Sequence, residues 1–145
     1  MTINQISVFL ENKVGQLAQV CKTLADNDIS LVTLSLAETA DFGIVRLIVD
    51  DTAKAEDALR RNKYIVKATP VIAVAVPDRP GGMAEAVSTL SAKGCDIEYS
   101  YAFALRHGEK AVLVFRFKNA EQAAAVITEA GFTTLTENQI QEAAK

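Results

Sequence analysis

The sequence predicts an α+β fold built from two tandem copies of one unit, in which strands and helices follow the order βαββαβ. Two observations predict it: the sequence matches itself at a shift of 66 residues, and both copies show the same succession of strand-like and helix-like hydrophobic spacing. Between positions 6 and 24 the shift gives six identities, where ordinary composition would give about one. The identical pairs are Ile6 and Ile72, Val8 and Val74, Gly15 and Gly81, Ala18 and Ala84, Thr23 and Thr89, and Leu24 and Leu90.

The first strand and first helix of each copy are predicted from hydrophobic spacing. The residues that alternate with period two are Ile6, Val8 and Leu10 in copy one and Ile72, Val74 and Val76 in copy two. The helical stripe that follows consists of Leu17, Val20, Cys21 and Leu24 in copy one and of Met83, Ala86, Val87 and Leu90 in copy two. Each strand therefore has one buried face, and a helix covers it.

The remaining elements complete each unit. Strand pairs are predicted at 29–37 with 43–49 and at 95–105 with 111–117, and second helices near 53–62 and 120–130. Gly131 is the stop signal of the last of these helices, and a final strand follows in each copy. This order gives a four-stranded antiparallel sheet with two helices on one face, the ferredoxin-like arrangement. We expect a first domain at 1–69 and a second at 70–145.

Composition excludes several classes of function. The formal net charge is −3, and basic residues form no run longer than Arg60-Arg61, so nucleic acid is not an expected partner. No apolar run approaches the length of a spanning helix and the N-terminus has no signal-like segment, which predicts a cytoplasmic protein that does not enter membranes. The two cysteines form no C-x-x-C motif, as expected in a reducing compartment.

Catalytic machinery is not expected. The one histidine, His107, falls in a predicted turn, and a histidine at a turn tip is usually solvated. Cys21 belongs to a helical apolar stripe, and Cys95 has no neighbouring histidine or cation in sequence that would lower its pKa. No metal-binding or nucleotide-binding motif occurs. We therefore predict a protein that is not an enzyme and has no metal or cofactor.

The turn after the first strand of each copy carries a family resemblance. It reads Pro77-Asp78-Arg79-Pro80-Gly81-Gly82-Met83 in copy two and Glu11-Asn12-Lys13-Val14-Gly15-Gln16-Leu17 in copy one. The copy-two turn resembles the D-x-P-G-x-L signature of ACT domains, which are amino-acid-sensing regulatory modules. The resemblance spans essentially the whole chain as a tandem pair. It implies ligand binding at the seam between one unit's first turn and the other unit's second strand.

Physical chemistry supports an amino-acid site at these turns. A helix N-terminus offers unpaired N–H groups and partial positive charge to a carboxylate, and glycine leaves the backbone accessible. Acidic or hydroxyl groups at the start of strand two can accept hydrogen bonds from an ammonium group. The candidate turn residues are Asn12, Val14, Gly15, Gln16, Leu17, Asp78, Arg79, Pro80, Gly81, Gly82 and Met83. The candidate strand-two residues are Asp28, Ile29, Ser30, Leu31, Cys95, Asp96 and Ile97.

The glycine turns also suit a purely structural strand-to-helix connection with a good cap. Tyr99, Tyr101 and Phe103 project from one face of a strand, where they suit packing between sheets, a planar ligand or single-stranded RNA. The leading function is a free-standing amino-acid sensor. The alternative is a regulatory subunit that binds an amino-acid-metabolism enzyme or a transcription factor, with the ligand optional. The apolar edge strand Ile29 to Leu36 predicts a homodimer.

Overall fold

A computed structural model describes residues 2–104 and 109–143, and its elements follow the predicted order. They are β1 (Ile3–Glu11), α1 (Gln16–Asp26), β2 (Leu31–Glu38), β3 (Phe42–Val49), α2 (Thr52–Arg61), β4 (Ile65–Pro77), α3 (Gly82–Ala92), β5 (Ile97–Ala104), β6 (Lys110–Phe117), α4 (Ala120–Glu129), β7 (Thr133–Leu135) and α5 (Glu137–Ala143). The predicted α+β fold of two βαββαβ units is confirmed.

By contacts the chain divides into two compact units. Within the described residues, unit one contains Asn4–Thr69 and 140–143, and unit two contains Pro70–Gln139 and 2–3. Strand β4 continues through Pro70, so its first residues belong to unit one and its last to unit two. The boundaries 1–69 and 70–145 remain our proposal for the domains.

Unit one orders its strands β2-β3-β1-β4, with β1 between β3 and β4. In the antiparallel pairing of β1 with β3, Ile6 lies opposite Leu47 and Val8 opposite Val45. These pairs point to the face that α1 and α2 cover, and all four side chains are buried. The period-two alternation of β1 thus produces the core on one face of the sheet.

Unit two repeats this arrangement as β7-β4-β6-β5. Ile72 lies opposite Phe115 and Val74 opposite Leu113, and these side chains form the core beneath α3 and α4. The Phe115 and Phe117 rings contact each other with centroids 5.5 Å apart. Each unit therefore buries one sheet face under its own two helices.

Helices α1 to α4 all end in the same way. The residue after each C-cap has a positive φ: 56° at Asp28, 68° at Lys63, 73° at Gly94 and 78° at Gly131. At α1, the Asp28 N–H donates to the Ala25 carbonyl and the Ile29 N–H donates to the Leu24 carbonyl, which is the Schellman pattern, and the other three helices repeat it. The prediction that Gly131 stops α4 is confirmed.

Helix α5 was not predicted from the sequence. It begins with a capping box: the Gln139 N–H donates to Thr136 Oγ1 at 3.2 Å, and the Thr136 N–H donates to Gln139 Oε1 at 2.8 Å. Its Ile140 side chain is buried. Over 2–104 and 109–143, none of the helices is long and apolar enough to cross a bilayer.

Candidate functional site

The two glycine turns have nearly identical geometry. In each, four residues form a type II β-turn: the Gln16 N–H donates to the Lys13 carbonyl at 3.3 Å, and the Gly82 N–H donates to the Arg79 carbonyl at 3.1 Å. The third residue has φ 91° and ψ −10° at Gly15, and the matching angles in copy two are 90° and −12°. This conformation favours glycine at the third position and proline at the second, as in the Pro-Gly pair of copy two.

Both turns lead into helices that lack a side-chain cap. Within the described residues, no side chain accepts a hydrogen bond at the N-terminus of α1 or of α3, so Asp78 does not cap α3. The second helix of each unit differs, because Asp51 accepts from the Lys54 N–H at 3.1 Å and Asn119 accepts from the Gln122 N–H at 3.0 Å. Among the described helices α1 to α4, the two that follow the glycine turns have N-termini without a side-chain cap, and such N-termini attract anions.

Glycine occupies the three turn positions for two different structural reasons. At Gly15 and Gly81 an added Cβ would meet no atom within 4 Å, so the reason for glycine there is the positive φ, and the space beside the backbone is open. A Cβ at Gly82 would collide with the carbonyl oxygen of Pro77. Copy one has Gln16 at the matching position. The beginning of α3 is therefore free of side chains for two residues, whereas that of α1 is not.

The turn of unit one borders a cleft of about 50 Å³, room for several waters at about 10–15 Å³ each. Its lining combines the turn with the β2–β3 hairpin: Leu10, Glu11, Asn12, Lys13, Gln16, Leu17, Leu36, Glu38 and Gly43. Lys13 Nζ lies 2.6 Å from Glu11 Oε2. Hydrogen bonding and charge within this exposed pair lower the pKa of Glu11 and raise the pKa of Lys13. The cleft thus offers both a cation and anions.

Sequence reasoning missed the hairpin side of this cleft. Glu38 and Gly43 join it because β1 pairs with β3, which places Glu11 opposite Phe42 and brings the Asn12 N–H 3.1 Å from the Asp41 carbonyl. The connection between the predicted strands 29–37 and 43–49 was the available signal, since the sheet order places it beside the end of β1.

The start of strand two in unit one has mainly structural contacts. Ile29 is 6% exposed and belongs to the core, while Asp28 ends α1. The Ser30 N–H donates to Asp50 Oδ1 at 3.0 Å, and the Asp50 N–H donates to the Ser30 carbonyl at 3.1 Å. Leu31, 38% exposed, is the accessible apolar side chain of this segment.

The matching segment of unit two behaves similarly. Cys95 is buried in the core, and this burial raises the pKa of its thiol, which disfavours a thiolate. Asp96 Oδ2 lies 3.4 Å from Lys118 Nζ, and the Asp96 carbonyl accepts from the Lys118 N–H at 3.1 Å. Ile97 is half-buried against the core. Asp96 therefore already has a cationic partner.

Within one unit, the turn and the start of strand two do not meet. The turn lies at the end of β3 where Glu11 pairs with Phe42, whereas Leu31 pairs with Val49 at the other end of β3. Eight residues of strand span about 26 Å at about 3.3 Å each. The two groups of candidate residues therefore lie at opposite ends of the strands of each sheet.

Tyr99, Tyr101 and Phe103 are half-buried and share the sheet face opposite the core of unit two, as the alternation predicts. His107 lies outside the described residues. Over 2–104 and 109–143, no three histidine, cysteine or acidic side chains come together as a metal site.

At two helix ends in unit one, the residue in the left-handed conformation carries a side chain, whereas unit two has glycine at the matching position. Replacing Lys63 with glycine is expected to raise the free energy of unfolding by about 1 kcal/mol, and Asp28→Gly by about 0.5 kcal/mol, because aspartate tolerates this conformation better than lysine. Urea denaturation of both variants checks this. Lower stability in both would contradict the assignment of backbone strain to these positions.

Comparison with known proteins identifies relatives of the whole fold. A family model described as an ACT domain pair matches residues 1–144. The chain is similar to protein BT0572 from Bacteroides thetaiotaomicron, with 39% identity, coverage of 98% of this chain and 97% of that chain, and a TM-score of 0.91.

Similarity extends to the ligand-free regulatory subunit of aspartate kinase from Thermus thermophilus, at 17% identity, coverage of 88% and 92%, and a TM-score of 0.60. The regulatory subunit of aspartate kinase from Thermus flavus shares 18% sequence identity, with coverage of 88% of this chain and 91% of that chain and a TM-score of 0.59. At these identities the Thermus structures show a shared fold. No curated protein matches the sequence.

Proposed function

The chain belongs to the family of ACT domain pairs, and from that premise we propose that it binds a free amino acid at its strand–helix turns and acts as a regulatory sensor. The observation that carries this proposal is the pair of uncapped helix N-termini behind matching type II turns. An uncapped N-terminus satisfies a carboxylate with backbone N–H groups. The duplication places this arrangement at the same position in both units.

The cleft of unit one supports the same ligand class. A zwitterion needs donors for its carboxylate and acceptors for its ammonium group. The N-terminus of α1 supplies the first and Glu38 the second, while Lys13 and Glu11, which pair with each other in the free protein, would exchange that contact for the ligand. Leu17 and Leu36 add apolar surface for a side chain. The mixed lining favours an amino acid over a ligand with a single charge.

Thermal unfolding in the presence of each of the twenty amino acids tests the proposal. At least one is expected to raise Tm, because a ligand that binds only the folded state adds RT ln(1 + [L]/Kd), about 2.7 kcal/mol at one hundred times Kd. The matching amino alcohols, which keep the ammonium group and lack the carboxylate, are the controls and are expected to have little effect. No increase with any amino acid would contradict amino-acid binding.

A regulatory subunit with an optional ligand is the second candidate, and the edge of unit one favours it. Strand β2 is the outer strand of its sheet, carries no charge from Leu31 to Ala37, and exposes 38% of Leu31 and 48% of Leu36. Uncharged edge strands readily pair with another chain. Association through β2, with a second copy or a partner enzyme, is the proposal that would remain if no amino acid shifts Tm.

A further inference from the structure

Unit two carries an open cleft between α3 and α4, away from its glycine turn. The cleft measures about 360 Å³ and is lined by Thr89, Lys93, Val126, Glu129 and Ala130. This volume lies at the lower end of the range of about 300–1,000 Å³ for small-molecule sites. Met83 and Lys93 are ten residues apart on the same side of the sheet, about 15 Å at 1.5 Å per helical residue. The cleft is thus separate from the proposed turn site.

At the matching place in unit one, side chains of α1 and α2 bond to each other across the gap between the helices. The equivalent residues there are Thr23, Asn27, Ala58, Arg61 and Asn62. Arg61 Nη2 donates to Asn27 Oδ1 at 3.4 Å, which joins the ends of α1 and α2. Asp57 Oδ2 holds the same guanidinium at 2.9 Å. In unit one the charged group at this place therefore already has partners in its own unit.

Unit two lacks all three side chains of this bridge, and there α4 contacts the end of α3 through Gln122 Nε2, which donates to the Lys93 carbonyl at 3.4 Å. Lys93 replaces the asparagine, Glu129 replaces the arginine and Ala125 replaces the aspartate. Lys93 and Glu129 line the cleft from different helices, yet no ion pair or hydrogen bond joins either side chain to another group in the described part of the chain. Two opposite charges on the walls of one cleft are thus left without partners.

The surface between these charges is largely apolar. Val126 and Ala130 contribute methyl groups, and the Thr89 hydroxyl already donates to the Glu85 carbonyl at 2.9 Å. We propose that this cleft binds a small zwitterion, such as a free amino acid, with its carboxylate at Lys93 and its ammonium group at Glu129. A ligand with one charge would leave the other wall unpaired. Because both charged residues are exposed to solvent, we expect weak binding, with a Kd on the order of 1 mM.

An amide-resolved NMR titration of the full chain tests this site. Gly81→Asp serves as the background, so that binding at the turn of unit two does not obscure the result. The probes are L-alanine and γ-aminobutyrate, with acetate and methylammonium as singly charged controls. We expect the amides of Lys93, Val126 and Ala130 to shift with at least one zwitterion, and each control to bind at least tenfold more weakly. No shift at about 50 mM probe, roughly fifty times that Kd, would overturn the proposal, as would equal shifts with acetate.

A triple substitution that gives the cleft of unit two the residues of unit one is the control variant. Lys93→Asn, Ala125→Asp and Glu129→Arg together install the unit-one bridge and leave the net charge unchanged. This protein is expected to keep its fold, shown by unchanged amide positions in β4 and β6, and to lose the zwitterion response. A response that survives the exchange would exclude the cleft as the binding site. Failure of the turn proposal would leave this outcome unaffected, because the response is measured at amides that line the cleft and belong to neither glycine turn.

Discussion

Replacing Gly82 with alanine is expected to lower the free energy of unfolding by about 2–3 kcal/mol, the usual cost of forcing an extra carbon into a packed site. The added Cβ would collide with the carbonyl oxygen of Pro77, which is backbone and has no alternative rotamer. The first turn of α3 must therefore move away from the end of β4. Urea denaturation or a thermal scan measures the loss.

Gly81→Ala is the control for this loss. Its Cβ would meet no atom within 4 Å, so only the strain of φ 90° remains, which costs about 1–2 kcal/mol. The destabilisation by Gly82→Ala should exceed that of Gly81→Ala. Equal or smaller loss at Gly82 would contradict the close approach of α3 to Pro77.

Gly81→Asp is expected to weaken amino-acid binding at the turn of unit two by at least tenfold, or about 1.4 kcal/mol. The aspartate would place a negative charge at the N-terminus of α3, where the ligand carboxylate is proposed to bind. The fold should survive, because the position is open to solvent and aspartate tolerates a left-handed backbone better than most residues.

Gly81→Asn is the matched control because asparagine has nearly the same shape and the same tolerance of positive φ, without the charge. Calorimetry on both variants separates charge from backbone strain. Affinity in Gly81→Asn should stay well above that in Gly81→Asp. If the two variants bind equally, the charge at this position does not act on the ligand, and Gly15 becomes the turn to test.

The fold could be predicted because its signals are local or repeated. Period-two spacing in β1, helical spacing in α1 and the shift of 66 residues each identify the same units. The continuity of β4 through Pro70 was not predicted, because proline usually marks a break in a strand. Helix α5 was missed although Thr136-Glu137-Asn138-Gln139 is a recognisable capping box.

The candidate site was less predictable, because its geometry depends on groups distant in sequence. The sequence identified Gly15 and Gly81, whose positive φ the structure shows. It did not identify Glu38, which joins the cleft through strand pairing. Nor did the sequence show that Ser30 is already bonded to Asp50, since that contact joins residues twenty positions apart.

We propose that the uncapped N-termini of α1 and α3 hold an amino-acid carboxylate. Titration of ¹⁵N-labelled protein with the amino acid that raises Tm most tests it directly. We expect the largest amide shifts at Leu17 and Ala18 or at Met83 and Ala84, whose N–H groups follow the two type II turns. Saturable binding that leaves all four amides unchanged would contradict the claim and place the ligand elsewhere on the protein.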